Sequence, residues 1–184
     1  MKKKNIILFF IIVSIIVFLS FSYYKKNRGV LYVPPNTLSI IGEVVKTENG
    51  SNKNLSLYKN TKSNFSIEFP KELTIKEYDE GGGSYSYVFE NESGDKSFQI
   101  FFTEYYKDSI TEERFLTDIP SGVIKEKQDI FIDGVPAVMF FSKNNIMGET
   151  REVWFIKNGF LYEVFTYKDL DEWLSEIMLT WKFI

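Results

Sequence analysis

The segment from Lys125 to Tyr167 reads KEKQDIFIDGVPAVMFFSKNNIMGETREVWFIKNGFLYEVFTY, in which apolar and aromatic residues are interrupted only by turn residues. Two of the interruptions are Asp133-Gly134 and Asn158-Gly159, and such pairs favour the positive φ angles of a tight hairpin turn. The third interruption is the loop 144–148. The segment therefore predicts a four-stranded antiparallel meander, with strands over residues 125–132, 135–143, 150–157 and 160–167.

Two of these predicted strands are apolar on both faces. Side chains alternate between the two faces of a strand, so residues two apart share a face. In the second and third strands both alternating sets are apolar, namely Val135/Ala137/Met139/Phe141 with Val138/Phe140, and Val153/Phe155 with Trp154/Ile156. Such strands need other elements packed against both faces of the sheet.

The composition narrows the classes of function. The 184 residues include no cysteine and no histidine, which removes thiol nucleophiles, disulfides, imidazole metal ligands and the histidine general base. The formal net charge is −3, but six of the 22 basic residues precede Gly29 and all 25 acidic residues follow it. The chain from Gly29 onward has 16 basic against 25 acidic residues, a net charge of −9. Because this charge repels phosphate backbones, we expect no nucleic-acid partner.

The residue types that remain could still support catalysis, but no motif signals it. Carboxylate pairs, a Ser–Lys pair, a tyrosine or a carboxylate-bound metal would have to carry the chemistry. Among 25 acidic residues, pairs of carboxylates at a catalytic separation arise by chance. We therefore expect no enzymatic activity and no cofactor, and the sequence identifies no catalytic, cofactor-binding or metal-ligating residue.

The N-terminus has the pattern of a membrane anchor. Lys2-Lys3-Lys4 precedes residues 6–21, which contain no charge, and Lys25-Lys26 follows Tyr24. Residues 5–24 are long enough to cross a hydrocarbon core of roughly 30 Å as a helix. A cleaved signal peptide is the alternative, although Ser20-Phe21-Ser22 fits the small-x-small cleavage rule poorly. We predict an uncleaved anchor, residues 1–24, that makes a single pass of the cell membrane and places the domain on the extracytoplasmic side.

A polar linker is predicted over residues 25–56. It contains Pro34-Pro35 and the run Thr47 to Asn52, both of which are typical of connecting segments. A short apolar patch, Leu38–Val45, could form a strand or lie against the domain. The folded domain is then predicted over residues 57–184.

The rest of this domain supplies strands and two helices. Strands are indicated at residues 65–69, 85–89 and 97–103 by apolar alternation. Ser109 and Glu112 form a capping box that opens one short helix. A second helix is predicted from an N-cap at Asp169, with an apolar stripe of Leu170, Trp173, Leu174, Ile177 and Met178. We therefore predict an α+β fold, an α/β/α sandwich in which the two helices cover opposite faces of one central antiparallel sheet.

Two surface features remain as candidate binding sites. The acidic loop from Glu90 to Asp95 offers oxygen side chains at Asn91, Ser93 and Asp95, a spacing that faintly suits calcium. It lacks the other ligands of an EF-hand loop, and a solvated hairpin tip is the alternative. Tyr105-Tyr106 ends a predicted strand and could anchor a protein partner, or could pack against the neighbouring helix.

Several landmarks within residues 57–184 resemble those of PsbP-like domains. They are NFSIEFP at 64–70, IDGVPA at 132–137, REVW at 151–154, GFLY at 159–162 and IMLTWKF at 177–183. The resemblance implies an α/β/α sandwich around an antiparallel sheet. The best-known members of the family are extrinsic lumenal subunits that support oxygen evolution by photosystem II, others bind the Ran GTPase, and many bacterial relatives are membrane-tethered.

The departures from the family pattern limit what the resemblance implies. Leu73 stands where an aromatic residue is usual after the proline of the first strand, and the histidines associated with metal binding have no counterpart in this sequence. A membrane anchor also replaces the cleaved targeting peptide. The expectation is therefore a non-catalytic accessory domain that binds a protein partner, and the alternative is an ion- or ligand-binding domain that uses the loop from Glu90 to Asp95.

Overall fold

The computed structural model describes residues 43–45, 54–144 and 147–184, and two antiparallel sheets account for most of them. The small sheet consists of β1 (Glu43–Val45), β2 (Leu55–Asn60), β3 (Phe65–Pro70) and β11 (Lys182–Phe183). The large sheet consists of β4 (Thr74–Gly81), β5 (Ser84–Glu90), β6 (Ser97–Glu104), β7 (Ile124–Ile132), β8 (Val135–Asn144), β9 (Gly148–Lys157) and β10 (Phe160–Tyr167). The helices are α1 (Glu112–Asp118), a 3-10 turn (Lys168–Leu170) and α2 (Asp171–Met178).

The large sheet contains the predicted meander. Its strand order is β4-β5-β6-β10-β9-β8-β7, so that two meanders meet where β6 pairs with β10. Strands β7 to β10 differ from the predicted bounds by at most two residues. Asp133 and Asn158, with φ angles of 46° and 52°, begin the two tight turns, and each is followed by a glycine that also has a positive φ angle. The turn chemistry therefore sets the register of these four strands.

The two faces of the large sheet pack against different elements. The inner face carries Tyr87, Phe98 and Phe155, which share one core with the small sheet and α2. The outer face carries Val138, Phe140 and Trp154, which pack against Phe115 and Ile119 of the α1 region. The meander strands are therefore covered on both faces, but the inner face is covered by the small sheet together with α2 and not by a helix alone.

The prediction of a single central sheet is wrong, because the described strands form two sheets. β2 and β3 pair with each other from Leu55↔Pro70 to Asn60↔Phe65 and lie over the inner face instead of joining the large sheet. The physical reason is the apolar side of this hairpin, Tyr58, Phe65, Ile67 and Phe69, which can be buried only against a second aromatic surface. β11 then adds to the free edge of β3, through Lys182↔Ser66 and Phe183↔Phe65.

The bounds of other predicted elements also shift. β1 and the start of β2 lie inside the segment predicted as linker, and β4 occupies a stretch without a predicted strand. α2 begins at Asp171 and not directly after Asp169, because Lys168–Leu170 forms the 3-10 turn. Among the described residues, no helix has both the length and the apolarity to cross a membrane. The segment predicted to do so, residues 5–24, lies outside them.

Hydroxyl groups connect the two sheets inside the aromatic core. Tyr58 Oη donates to Glu77 Oε1 of β4 (2.7 Å) and accepts from Asn60 Nδ2 (2.8 Å). The turn after β2 is also fixed, because Ser63 Oγ lies 2.6 Å from Tyr87 Oη and the Ser63 carbonyl accepts from Tyr162 Oη at 2.9 Å. Strands β5 and β10 of the large sheet thus hold the β2–β3 turn in place.

Phe65 is the aromatic residue through which the small sheet is packed. Its ring stacks on Trp181 at a centroid distance of 4.5 Å and meets Tyr87 and Tyr162 edge-to-face. The side chain is completely buried. It therefore joins the small sheet, the large sheet and the C-terminal segment in one cluster.

We predict that Phe65→Ala lowers the free energy of unfolding by about 3–5 kcal/mol, because it leaves a cavity between the sheets. Phe131→Ala is the matched control, since Phe131 is 73% exposed and its loss should change the free energy of unfolding by less than about 0.5 kcal/mol. Chemical unfolding followed by circular dichroism measures both. Equal losses for the two variants would show that the Phe65 cluster does not hold the sheets together.

Candidate functional site

A groove of about 670 Å³ opens on the outer face of the large sheet. It lies at the end of the sheet where the turns Asp133-Gly134 and Asn158-Gly159 are found, beside the loop that connects β6 to α1. The residues that shape it are Tyr106, Phe115, Lys127, Pro136, Val138, Trp154, Ile156 and Gly159. It is thus built by β7, β8 and β9 and by the segment before α1.

The floor of the groove is apolar because of strand alternation. Pro136 and Val138 of β8 lie on the same face as Trp154 and Ile156 of β9, since Val138 pairs with Trp154. Trp154 is buried beneath Phe115, whose ring stacks on it at 5.0 Å. Pro136 and Ile156 remain partly or fully accessible and form the surface of the floor.

The two tyrosines at the end of β6, Tyr105 and Tyr106, have different environments. Tyr105 is only 9% exposed, and its hydroxyl donates to the Ser109 carbonyl and accepts from the Thr111 amide, both at 3.2 Å. Tyr106 is 82% exposed and its hydroxyl donates to Glu104 Oε2 at 2.6 Å. Tyr105 therefore fixes the loop before α1, while Tyr106 presents an aromatic ring at the rim of the groove.

Gly159 lies next to the Tyr106 ring. Its φ angle of +80° is required by the tight turn and favours glycine, whereas a Cβ placed on it would be 3.7 Å from the ring, an ordinary van der Waals distance. The turn is therefore the reason for the glycine, and it lies beside the exposed aromatic side chain.

Charged side chains of both signs surround the apolar floor. They are Lys107, Asp108, Lys127 and Asp129. Lys127 follows Glu126, whose φ angle of 52° marks a bulge in β7, and its ammonium group lies 5.0 Å from the centre of the Phe115 ring. The bulge turns this lysine toward α1 and the groove. An apolar floor with a mixed polar rim is the usual anatomy of a protein-binding surface.

Beneath α1, next to the groove, the outer face contains buried carboxyl groups. Glu152 accepts hydrogen bonds from Ser142 Oγ (2.8 Å), Thr150 Oγ1 (2.7 Å) and Trp154 Nε1 (3.1 Å). Burial raises the pKa of Glu152 to about 7, against the opposing effect of these donors.

A second acidic group lies between α1 and β10. Glu163 Oε1 accepts from Arg114 Nη2 at 3.0 Å, and Arg114 also pairs with Asp118 one turn further along α1. Burial, together with the neighbouring Asp118 carboxyl, raises the pKa of Glu163 well above its usual range, and burial raises the pKa of Asp118 as well. The guanidinium group of Arg114 thus forms ion pairs with two carboxyl groups.

None of these three carboxyl groups lines the groove. A general acid or base must come within hydrogen-bond reach of its substrate, and a perturbed carboxyl marks a catalytic site when it faces a cleft. Here Glu152 and Glu163 lie beneath α1, Asp118 belongs to α1 itself, and none of the three lines the cleft. The two features that a carboxylate enzyme would combine are separate in this molecule.

The acidic loop is the tip of the β5–β6 hairpin. Asp95 Oδ1 accepts from Asn91 Nδ2 at 2.6 Å and from Ser93 Oγ at 2.5 Å, and these bonds hold the pKa of Asp95 below its usual range. Glu90 pairs with Lys76 of β4. The three oxygen side chains at 91, 93 and 95 therefore bind one another. Within the described ranges, no group of three or more acidic side chains is arranged to hold a metal ion.

The two buried glutamates were not among the residues predicted from the sequence. Glu152 precedes Trp154 by two residues on a strand predicted to be buried on both faces, and Glu163 pairs with Trp154 across β9 and β10. Strand alternation places both on the face that carries Trp154. This alternation is therefore a sequence signal from which their burial could have been predicted.

The strands and helices described above form a mixed α+β domain with two stacked antiparallel sheets and two short helices. This is a PsbP-like fold: the solution structure of cyanobacterial PsbP (CyanoP) from Synechocystis sp. PCC 6803 matches it with a TM-score of 0.52. The two chains are 14% identical, and the match covers 75% of this chain and 98% of that one. At this identity the likeness shows the fold alone, and it confirms the resemblance seen in the sequence. No protein-family model matches the chain, and no curated protein does.

We predict that the free energy of unfolding falls as the pH rises from about 4.5 to 7 and that Glu152 causes part of the fall. The pKa of Glu152 is higher in the folded protein than in the unfolded chain, so unfolding releases a proton within this window, and the loss is roughly 3 kcal/mol. Above pH 7 this contribution is constant.

Chemical unfolding of the wild type and of Glu152→Gln at pH 4.5, 6 and 7.5 measures this contribution. As the pH rises, the free energy of unfolding of the wild type should fall relative to that of Glu152→Gln. Glu149→Gln is the matched control, because Glu149 is exposed and pairs with Lys168 and Lys125, and this variant should keep the fall. A pH-independent difference between wild type and Glu152→Gln would contradict the assignment.

Proposed function

We propose that the chain is a membrane-tethered, extracytoplasmic accessory protein whose folded domain is non-catalytic and binds a protein partner through the groove. The observation that carries this proposal is the combination of an accessible apolar floor with Tyr106, an 82% exposed aromatic residue at its rim. Exposed aromatic residues beside an apolar surface are the side chains that dominate protein–protein binding energies.

The shape of the groove favours a segment of a protein partner. It is open and shallow, and it is bounded by the exposed side chains Lys107, Asp108, Lys127 and Asp129. A small-molecule site would enclose most of its ligand. An apolar side chain of a partner could lie on Pro136 and Ile156 and against Tyr106, while polar groups on either side of it meet the rim.

The position of the buried carboxyl groups supports a non-catalytic role. Glu152 and Glu163 lie beneath α1, Asp118 is part of α1, and none of the three lines the groove. The calcium alternative has less support, because Asp95 Oδ1 accepts from Asn91 Nδ2 and Ser93 Oγ, and Asn91 Oδ1 accepts from the Lys96 amide. The PsbP-like fold agrees with an accessory role, which the sequence resemblance implies for this kind of domain.

The membrane tether is inferred from the sequence. Residues 5–24 have the length and apolarity of a transmembrane helix, and lysines flank the segment on both sides. A linker from residue 25 up to β1 would give the domain freedom to reach a partner at the membrane surface.

We predict that Tyr106→Ala weakens partner binding at least tenfold, because truncating an aromatic residue that anchors an interface costs about 2 kcal/mol or more. The test is affinity capture of tagged full-length protein from its native membrane in mild detergent, with mass spectrometry of the recovered proteins. A protein recovered in near-stoichiometric amount with the wild type should be lost with Tyr106→Ala.

Leu179→Ala is the matched control for this capture. Leu179 is 84% exposed and apolar but does not line the groove, so this variant should recover the partner as the wild type does. Equal recovery with Tyr106→Ala and wild type would overturn the assignment of the groove. Recovery of nothing beyond an anchor-only control would count against the accessory role itself.

The tether predicts how the protein partitions in cells. Full-length protein should sediment with membranes and resist extraction by salt and alkaline carbonate, because about 20 apolar residues insert into the bilayer. A variant that begins at Gly29 should remain in the supernatant. If the full-length protein is also found in the supernatant with residues 1–24 removed, the segment is a cleaved signal peptide.

A further inference from the structure

The helix α1 depends on the sheet beneath it. It has seven residues, and isolated helices of this length are unstable in water. Its cap is the Thr111 hydroxyl, which accepts from the Arg114 amide at 3.3 Å. Phe115 anchors it on Trp154 and Phe140. The other attachment is electrostatic, through Arg114 and Glu163.

This electrostatic attachment is unbalanced. Arg114 donates to Glu163 from Nη2 at 3.0 Å and from Nε at 3.3 Å, and it also pairs with Asp118 of its own helix. Glu163 is only 5% exposed, and the carboxyl groups of Asp118 and Glu163 are neighbours because both contact the guanidinium group of Arg114. If both carboxyl groups are ionised, this site carries one positive and two negative charges.

A proton removes the imbalance. Two ionised carboxylates have no hydrogen to share, so a hydrogen bond between Asp118 and Glu163 requires one of them to be protonated. The other charged groups around the site do not restore the balance. Glu152 of β9 acts on Asp118 and adds negative charge, and Lys127 of β7 lies over Phe115 on the far side of the helix. On the β6 side the neighbour is the Phe101 ring, over which the Arg114 guanidinium lies at 5.9 Å.

We propose that a single proton held between Asp118 and Glu163 keeps α1 packed on the sheet, and that loss of this proton at higher pH loosens the helix. α1 and the loop before it form one wall of the groove, through Ile110 and Phe115. Loosening α1 therefore changes the shape of the groove. The consequence for a partner rests on the proposed function, whereas the movement of the helix does not.

The sign of the effect follows from burial. Burial raises the pKa values of Asp118 and Glu163 above those of the unfolded chain. The stabilisation by the shared proton is therefore complete at acidic pH and is lost as the pH rises through the folded-state pKa values. The helix is held most firmly in mildly acidic surroundings.

Hydrogen exchange of α1 tests this inference on the full-length chain in detergent, without any partner. The reporters are the amides of Phe115, bonded to the Thr111 carbonyl at 3.1 Å, and Ile119, bonded to the Phe115 carbonyl at 2.8 Å. After correction for the intrinsic exchange rate, their protection should fall between pH 5 and pH 8 by at least tenfold more than the protection of amides in β5 and β6, which report the global stability.

Asp118→Asn and Glu163→Gln should each abolish this pH dependence, because each leaves one carboxylate with Arg114. Glu113→Gln is the matched control, because it removes an 86% exposed carboxylate of the same helix, and it should retain the pH dependence. The inference is overturned if wild-type protection does not change with pH, if the change survives in both variants, or if Glu113→Gln removes it. Failure of the capture experiment with Tyr106→Ala would leave this result unaffected, so the two proposals are distinguished.

Discussion

The hydrogen bonds that connect the β2–β3 hairpin to the large sheet are the constraint on which the rest of the structure depends. Tyr58, Tyr87 and Tyr162 each bring a hydroxyl group into an otherwise aromatic core, and all three would be costly to bury without a partner. Glu77 and Ser63 supply partners across the two sheets, and Asn60 adds one from the same strand as Tyr58. The bonds that Glu77 and Ser63 make are satisfied only in one relative position of the two sheets. This position in turn places β3 where β11 can pair with it. The small sheet and α2 therefore occupy the inner face, and the outer face is left to α1.

The chemistry of the outer face follows from that division. The inner face is filled by stacked and edge-to-face rings, so its described side chains are engaged with one another. α1 is too short to cover the whole outer face, and it leaves the end near Pro136 and Ile156 uncovered. The same short helix buries Glu152 and Glu163 at the other side of Trp154. A binding surface and a buried acidic site are thus products of one packing event, which explains why they are adjacent and yet separate.

Local sequence signals predicted the local parts of this architecture. Asp133-Gly134 and Asn158-Gly159 fixed the meander, and the apolar stripe of Leu174, Ile177 and Met178 identified the second helix. The sequence does not predict β4, because its residues, TIKEYDEG, are mostly polar, as is usual for a strand at the edge of a sheet. The pairing of β3 with β11 joins residues more than a hundred positions apart, and no local pattern encodes it. The groove was beyond prediction for the same reason, since it exists only where the β6–α1 loop meets the ends of β8 and β9.

The bulge in β7 has a consequence for how copies of the protein behave next to one another. The described part of the large sheet ends at β7, and a regular edge strand there would offer its free backbone groups to any neighbouring strand. The left-handed residue Glu126 and the reoriented Lys127 interrupt this row of donors and acceptors at mid-strand. Under the proposed membrane tether, copies would meet at high local concentration, where edge-to-edge sheet extension leads to aggregation. The irregularity at β7 opposes this kind of pairing between neighbouring domains.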